Sequence, residues 1–403
     1  GQNGFYCEIE GIDEFTPGLA EALEGRMRDL VAQDLPISRM KILTSEVRAR
    51  YAAQGLTDKI ALLDTRPRLY SQLYTLGDTV GYFYGSLAPS TGYVTLFDIQ
   101  PYYNGFYLAL PLRTAPDTLH RNVQQEKMFG IFQEYQSWVA LMGVPTIGAV
   151  NARTLAGDAG GMIKLAEAFH ERKFAWVADT IYDAVVSRGI RMVLISGPSS
   201  SGKTTSAKRL GIQLGVLGLR PVMISLDDYF VDREKTPLDE NGDYDYEALE
   251  AIDLELFNDH LARLIRGESV DIPRYDFITG RRTWHNAPLT LDERSILIIE
   301  GIHGLNPRLT PSIPDAQKFR IYISTTDNRL LRRLTRDYRQ RGADALSTLS
   351  RWASVRRGEE KHIFPYQENA DIMLNSSLFY EISVLRPFAE KILREVPDTV
   401  PEY

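Results

Sequence analysis

The spacing of apolar residues along the chain changes period several times, and each change predicts a change of element. After Thr16-Pro17, an N-cap followed by proline in the first turn, Leu19, Leu23, Met27, Leu30 and Val31 recur at helical spacing. A second helix is expected from Ser45 to a stop at Gly55. From Thr79 the pattern shortens to strands at residues 80–84, 93–97 and 105–110, with Asn104-Gly105 as a hairpin turn. Residues 123–141, carrying Phe129, Phe132, Tyr135 and Trp138, and residues 162–186 read as long amphipathic helices separated by a break at 157–161. Trp138 and Trp176 are expected to anchor their core. Beyond Arg191, apolar and β-branched runs at 191–196, 221–226, 295–299, 319–323 and 371–374 alternate with helical stretches such as 205–217. That alternation predicts a parallel, doubly wound α/β sheet, whose ligands bind beyond the carboxyl ends of the strands. A last helix starts near Tyr380 and stops at Val396-Pro397.

The predicted organisation is therefore a smaller α+β domain over 5–114, a helical connector over 115–190 and an α/β domain over 191–396. A chain of 403 residues, 44% hydrophobic, can bury ordinary cores in two or three such domains. The formal net charge of −7 argues against a general nucleic-acid surface, while local basic patches stay open. Cys7 is the only cysteine, which excludes an internal disulfide and a cysteine-based zinc site and fits a reducing cytoplasm. Apolar runs fall short of the ~20 residues that span a bilayer. No signal-peptide pattern opens the chain, and Gly1-Gln2-Asn3-Gly4 reads as a cut end.

The most specific chemistry lies at Gly197-Pro198-Ser199-Ser200-Ser201-Gly202-Lys203-Thr204-Thr205, which fits the phosphate-binding P-loop G-x-x-x-x-G-K-[ST]. A buried-strand pattern precedes it and a helical pattern follows, the context the motif needs. Glycines let backbone N–H groups turn inward as an anion nest, and the helix N-terminus adds its positive dipole end. Lys203 is expected to reach the β- and γ-phosphates of a nucleoside triphosphate, ATP, and Thr204 to ligate Mg²⁺. Asp227, Asp228 and Glu300 end the two neighbouring strand patterns. Carboxylates there suit phosphoryl transfer: Asp227 as the base, with adjacent Asp228 as its competitor, and Glu300 on the metal side with Thr204. Residues 328–341 hold Arg329, Arg332, Arg333, Arg336, Arg339 and Arg341. Beside a P-loop such a run reads as a lid bringing arginines over the transferring phosphoryl, in preference to a solvated basic helix or a nucleic-acid patch.

Residues 191–376 resemble the uridine kinase/phosphoribulokinase family of P-loop kinases. The resemblance rests on the P-loop, Leu226-Asp-Asp-Tyr-Phe230, the run from Tyr244 to Asp253, the run from Ile272 to Phe277, Ile299-Glu-Gly-Ile302 and the run from Arg329 to Asp337, in matching order. It implies a kinase for a small hydroxylated acceptor, the 5′-hydroxyl of a nucleoside such as uridine being the leading case. By position it implies that Asp227 is the catalytic aspartate and that Glu247 meets ribose hydroxyls. Tyr246, Tyr275 and Phe277 would line the nucleoside pocket, and Arg333, Arg336 and Arg341 would be lid arginines near ribose and phosphate. Two positions depart from the family: its base-reading histidine falls on Gly280, and a base-contacting glutamine falls on Arg351. A non-nucleoside sugar or polyol therefore stays open as acceptor. His303 and His285 are candidates to compensate.

Residues 45–92, above all Gly77-Asp78 and Ala88-Pro-Ser-Thr-Gly92, resemble the second additional domain of threonyl-tRNA synthetase. That family's editing cysteine and histidine fall on Phe83 and Leu87, which neither bind metal nor move protons, and its H-x-x-x-H pair is absent. The resemblance implies a shared fold without editing, with a scaffold or regulatory role favoured over tRNA contact. A nucleotide-gated, RNA-binding switch is the rival function, and a homo-oligomer stays open. The abrupt passage across 323–326 and the end at Tyr403 lead us to expect that related chains carry more sequence at both places.

Overall fold

The computed structural model describes residues 4–12, 14–83, 85–112, 115–119, 124–326 and 328–401, with the side chains of 112, 285 and 286 outside that description. The expectations placed on residues 1–3, 84, 123 and 403 thus lie outside the described residues. The chain divides into two compact units, Gly1–Gln124 with Thr146–Ala156, and Gln125–Pro145 with Gly157–Tyr403.

The first unit contains β1 (Gly4–Cys7), α1 (Pro17–Ala32), β2 (Ser38–Leu43), α2 (Thr44–Ala53), α3 (Thr57–Asp64), β3 (Tyr70–Leu76), β4 (Thr79–Gly81), β5 (Asp98–Tyr102), β6 (Gly105–Ala109), β7 (Pro111–Leu112) and β8 (Ala115–Leu119). After α4 (Glu126–Leu141), which belongs to the second unit, α5 (Ile147–Leu155) completes it. Antiparallel sheets run β1-β6-β5 and β2-β3-β4. Phe15 and Ala20 pack against Ile99 and Phe106, while Val47, Tyr51, Leu63 and Leu73 form a second core. Thr16 caps α1 by accepting from Leu19 N–H, as its sequence predicts. The strand expected at 93–97 is absent; a 3₁₀ turn over Thr91–Tyr93 stands at its start. The reason is local. The Thr91 hydroxyl donates to Leu30 O (2.5 Å) and accepts from Leu35 N–H (2.9 Å). Asp34 takes Gly92 N–H (3.0 Å) and the Ser90 hydroxyl. The Pro-Ser-Thr-Gly motif is thereby tied to the end of α1 and cannot extend. Phe83 is exposed, with its ring edge-on to Tyr74.

The second unit continues through α6 (Ala159–Arg188), β9 (Met192–Ser196), α7 (Lys203–Val216), β10 (Arg220–Ser225), α8 (Leu254–Ile265), β11 (Val270–Asp276), β12 (Arg281–Leu289), β13 (Ser295–Glu300), β14 (Lys318–Ser324), α9 (Arg329–Gln340), α10 (Ala345–His362), β15 (Ile372–Asn375) and α11 (Glu381–Leu393). The five-stranded sheet runs β10-β13-β9-β14-β15, every pair parallel. Strand alternation sends Met192 and Leu194 to one core with Val222, Ile224, Leu297 and Ile299. It sends Val193 and Ile195 to the other with Ile296, Ile298, Ile321 and Ile323. Both faces are covered, which explains the unbroken apolar runs that betrayed these strands. The antiparallel hairpin β11–β12 stands apart as its own two-stranded sheet.

Trp138 stacks on Phe169 at 4.1 Å and meets Phe379, an anchor as expected. Trp176 is not: it is 52% exposed, with the Lys173 ammonium over its ring. Among the described residues no helix is long and apolar enough to cross a membrane. Leu210, 1% exposed on α7, joins the core that fixes the helix behind the P-loop. Leu210→Ala is expected to cost about 2–5 kcal/mol of that unit's stability, read as a lower urea midpoint.

Candidate active site

The sheet fixes the site through register. Ser225 at the end of β10 pairs with Glu300 at the end of β13, and Glu300 with Ile195, one residue before the end of β9. Three strand ends therefore open on one place. From β9 the chain turns sharply: Gly197 has φ +155°, Ser200 φ +59° and Gly202 φ +90°. A side chain at Gly197 would run into Ile323 O, so glycine is needed for space as well as for conformation. α7 then begins at Lys203. The Ser200 and Ser201 hydroxyls are buried without a partner, donors suited to phosphate oxygens. Thr205, next on α7, is exposed.

Lys203 Nζ donates to Pro198 O at 3.1 Å. Burial pushes its ammonium below the usual lysine range; Glu300, then Asp227 and Glu247, oppose this, while Arg336 adds to it. Those acids act on one amine and come from three separate segments. Thr204 Oγ1 and Ser225 Oγ both donate to Glu300 Oε1, at 2.9 and 3.0 Å. Glu300 is 6% exposed; burial and then Asp227 raise its pKa, against Lys203 and the two hydroxyls. Asp227 stands in the 3₁₀ turn after β10, its side chain 40% exposed, with Arg341 Nη2 at 3.8 Å. Asp228 instead accepts from Tyr275 N–H (3.3 Å) and holds the hairpin. The geometry thus distinguishes two acids that adjacent sequence positions could not.

Glu247 has one buried, unpartnered oxygen, Oε2, and burial pushes its pKa up to about 7 against the pull of Arg333. A side chain at Gly358 on α10 would collide with it. Beside it the rings of Tyr246, Tyr275 and Phe277 all pack around Phe230, at 6.4, 5.5 and 6.2 Å between centroids. Arg341 lies 4.0 Å over Phe277.

The arginine run divides by partner. Arg333, Arg336 and Arg341 converge on buried Asp337, at 3.3, 2.8 and 3.8 Å. Arg333 Nη1 also donates to Ser199 Oγ at 2.7 Å. Arg332 is engaged by Glu381 and Ser376, Arg339 lies on the Phe388 ring, and Arg329 pairs with fully buried Glu359. Glu359 Oε1 accepts Ser199 N–H (3.1 Å), and Arg329 Nη1 donates to Ser199 O (3.0 Å). In the sequence Asp337 has no role beyond ending a motif, and Glu359 is not singled out. A carboxylate inside an arginine-rich helix was a signal for the first; nothing marked the second. His303 is 0% exposed and faces His362, and burial takes its pKa down to about 4, so it belongs to the interior. Arg351 is exposed on α10.

A parallel sheet with a P-loop after its first strand, carboxylates at neighbouring strand ends and an arginine-bearing helix defines a P-loop phosphotransferase of the α/β class. Sequence relatives point the same way. The phosphoribulokinase/uridine kinase family model matches residues 192–382. A uridine kinase of Staphylococcus aureus is 32% identical over 184 residues, 45% of this chain and 84% of that protein. One from Halobacterium salinarum is 29% identical over 182 residues, 45% of this chain and 77% of that protein. A solved possible uridine kinase from Bacillus stearothermophilus is 20% identical, with a TM-score of 0.37, covering 50% of this chain and 98% of that one. The chain belongs to the phosphoribulokinase/uridine kinase family, and it is a phosphotransferase with an alcohol group as acceptor.

Glu247 gives the site a pH signature. Its folded pKa, about 7, lies above the ordinary carboxylate value, so its contribution to stability is full below about 4.5 and is lost as pH rises through about 7. Unfolding free energy should therefore fall across that window, and Glu247→Gln should flatten the fall in denaturant titrations at each pH.

Proposed function

We propose that the second unit transfers the γ-phosphoryl group of ATP to the hydroxyl of a nucleoside-like acceptor, most favourably a 5′-hydroxyl as in uridine. The observation that carries this reading is Glu300, at the end of β13, accepting from Thr204 of the P-loop helix and from Ser225 of β10, with Asp227 in the turn that follows β10. Lys203, the Ser200 and Ser201 hydroxyls and the loop amides would hold the triphosphate. Asp227 would take the proton of the acceptor hydroxyl as its oxygen bonds to the γ-phosphorus and the bond to the bridging oxygen breaks, releasing ADP. Arg333 and Arg336 would face the transferring group, and Arg341 links Asp227 to the aromatic box.

The donor set at Glu300, Thr204 and Ser225 is all oxygen, which suits Mg²⁺. Mg²⁺ usually binds through one or two carboxylates and substrate phosphates. Thr204 and Glu300 would hold it, and when bound it would neutralise charge on the phosphates. In the acceptor pocket Glu247 would meet sugar hydroxyls, with Tyr246, Tyr275 and Phe277 against an apolar face. The side chain missing at Gly280 favours one second reading, a non-nucleoside sugar or polyol acceptor. An ADP-release screen over nucleosides, sugars and polyols separates the two.

Asp227→Asn is expected to lower kcat by roughly 10²–10⁴ while ATP affinity, measured by calorimetry, stays close to that of the unaltered protein. Unchanged turnover in that variant would remove Asp227 from the base role.

A further inference from the structure

Gly280 ends the turn between β11 and β12 with φ +72°, and the space beside it is already filled. A Cβ at that position would lie 2.6 Å from Arg233 Nε and 2.7 Å from Arg233 Cζ. Arg233 comes from a different segment, the 3₁₀ turn Arg233–Lys235 that follows Asp227. It is locked there by its own N–H on Gly280 O (2.9 Å) and by Nη2 on Phe277 O (2.8 Å) and Ile278 O (3.4 Å). Its guanidinium therefore lies against the end of the aromatic box and opposes the rise that burial imposes on the Tyr275 phenol.

Charge singles it out further. The neighbouring cations are spoken for: Arg281 faces Glu234, and Arg282 pairs with Asp253 at 3.0 Å. Among the described residues no carboxylate lies within ion-pair distance of Arg233; Asp276, whose carboxyl pKa it helps to lower, is the acid it feels, and besides the two carbonyls on Nη2 it acts on the Tyr275 phenol. A fixed cation in no close ion pair thus borders the box on the Phe277 carbonyl side, while Arg341, which also meets Asp227, lies over the same residue's ring.

We propose that Arg233 is a specificity-determining residue of the acceptor pocket, selecting acceptors whose end remote from the reacting hydroxyl carries a hydrogen-bond-accepting oxygen. This rests on the acceptor reading given above. A guanidinium offers donors only. A keto or carboxylate oxygen satisfies it; an amino group in the same place leaves donors facing donors, which costs binding even at this half-buried position. A pyrimidine nucleoside with a 4-keto group and a hydroxy acid share the favoured chemistry, and a 4-amino pyrimidine lacks it.

The test uses the full chain and its Arg233→Ala and Arg233→Lys variants, with uridine, cytidine and glycerate as acceptors. ADP release gives KM and kcat, calorimetry gives acceptor binding, and thermal unfolding checks each variant's fold. The unaltered protein is expected to favour uridine or glycerate over cytidine by about tenfold or more, the size of one unmet hydrogen bond. Arg233→Ala should raise KM for the favoured acceptor by a similar factor with kcat nearly constant, and should erase the preference. Arg233→Lys should keep part of it. Whichever of uridine and glycerate wins names the source of the oxygen. A preference for cytidine, or a folded Arg233→Ala variant with an unchanged KM ratio, overturns the role of Arg233 and leaves the kinase reading standing. Absence of both binding and turnover for every acceptor, with ATP still bound, overturns the acceptor reading and this inference with it.

Discussion

A lysine ammonium drawn out of water is stable only where negative charge is held close to it, and that constraint organises the carboxyl ends of three strands. Lys203 is fixed by the P-loop turn, so the acids must come to it. Glu300 arrives by strand register, Asp227 by the 3₁₀ turn that ends β10, and Glu247 from the segment that α10 overlies at Gly358. Each acid in turn needs its own partner: hydroxyls for Glu300, Arg341 for Asp227, Arg333 for Glu247. Four cations, Lys203, Arg333, Arg336 and Arg341, thus stand among four carboxylates, with Asp337 the fourth. The recess is nearly neutral as a whole but strongly polar within, which suits a reaction that moves charge between bound groups.

The arginine-bearing helix is anchored by the same logic. Arg329 and Arg356 meet Glu359, which is completely buried, and Glu359 and Arg329 between them hold both backbone groups of Ser199. Removing one member of such a cluster leaves an uncompensated interior charge, typically a loss of several kcal/mol. Half of the arginine run therefore builds the platform, and the other half is gathered by Asp337.

How much of this could be read from the residues depended on the range of the interactions. The P-loop is a local device, and its glycines, lysine and flanking periods announce it. The strands of the parallel sheet were legible because burial on both faces removes polar alternation. The strands β2 and β3 were not, because polar residues such as Ser38, Arg39, Lys41 and Gln72 interrupt them. Residues 93–97 look like a strand, yet the bonds from Thr91 to the end of α1 set the backbone otherwise. Within the site, Asp227 and Glu300 followed from their places at strand ends. The resemblance singled out Arg333, Arg336 and Arg341 among the six arginines, but which carboxylate each meets is decided by tertiary packing. Glu359 and Arg233 carried no local mark for the same reason: Ser199 and Phe277, which they hold, lie 160 and 44 positions away in the chain.

The triple grip on Ser199, by Glu359 at the amide, Arg329 at the carbonyl and Arg333 at the hydroxyl, bears on how a nucleotide is received. A glycine- and serine-rich loop left to itself would sample many shapes, and freezing it would weaken each binding event by about 1–2 kcal/mol per residue ordered. Here that ordering accompanies folding, before any nucleotide arrives. An incoming triphosphate meets a finished cradle, so its affinity depends on contacts formed and not on loop entropy surrendered.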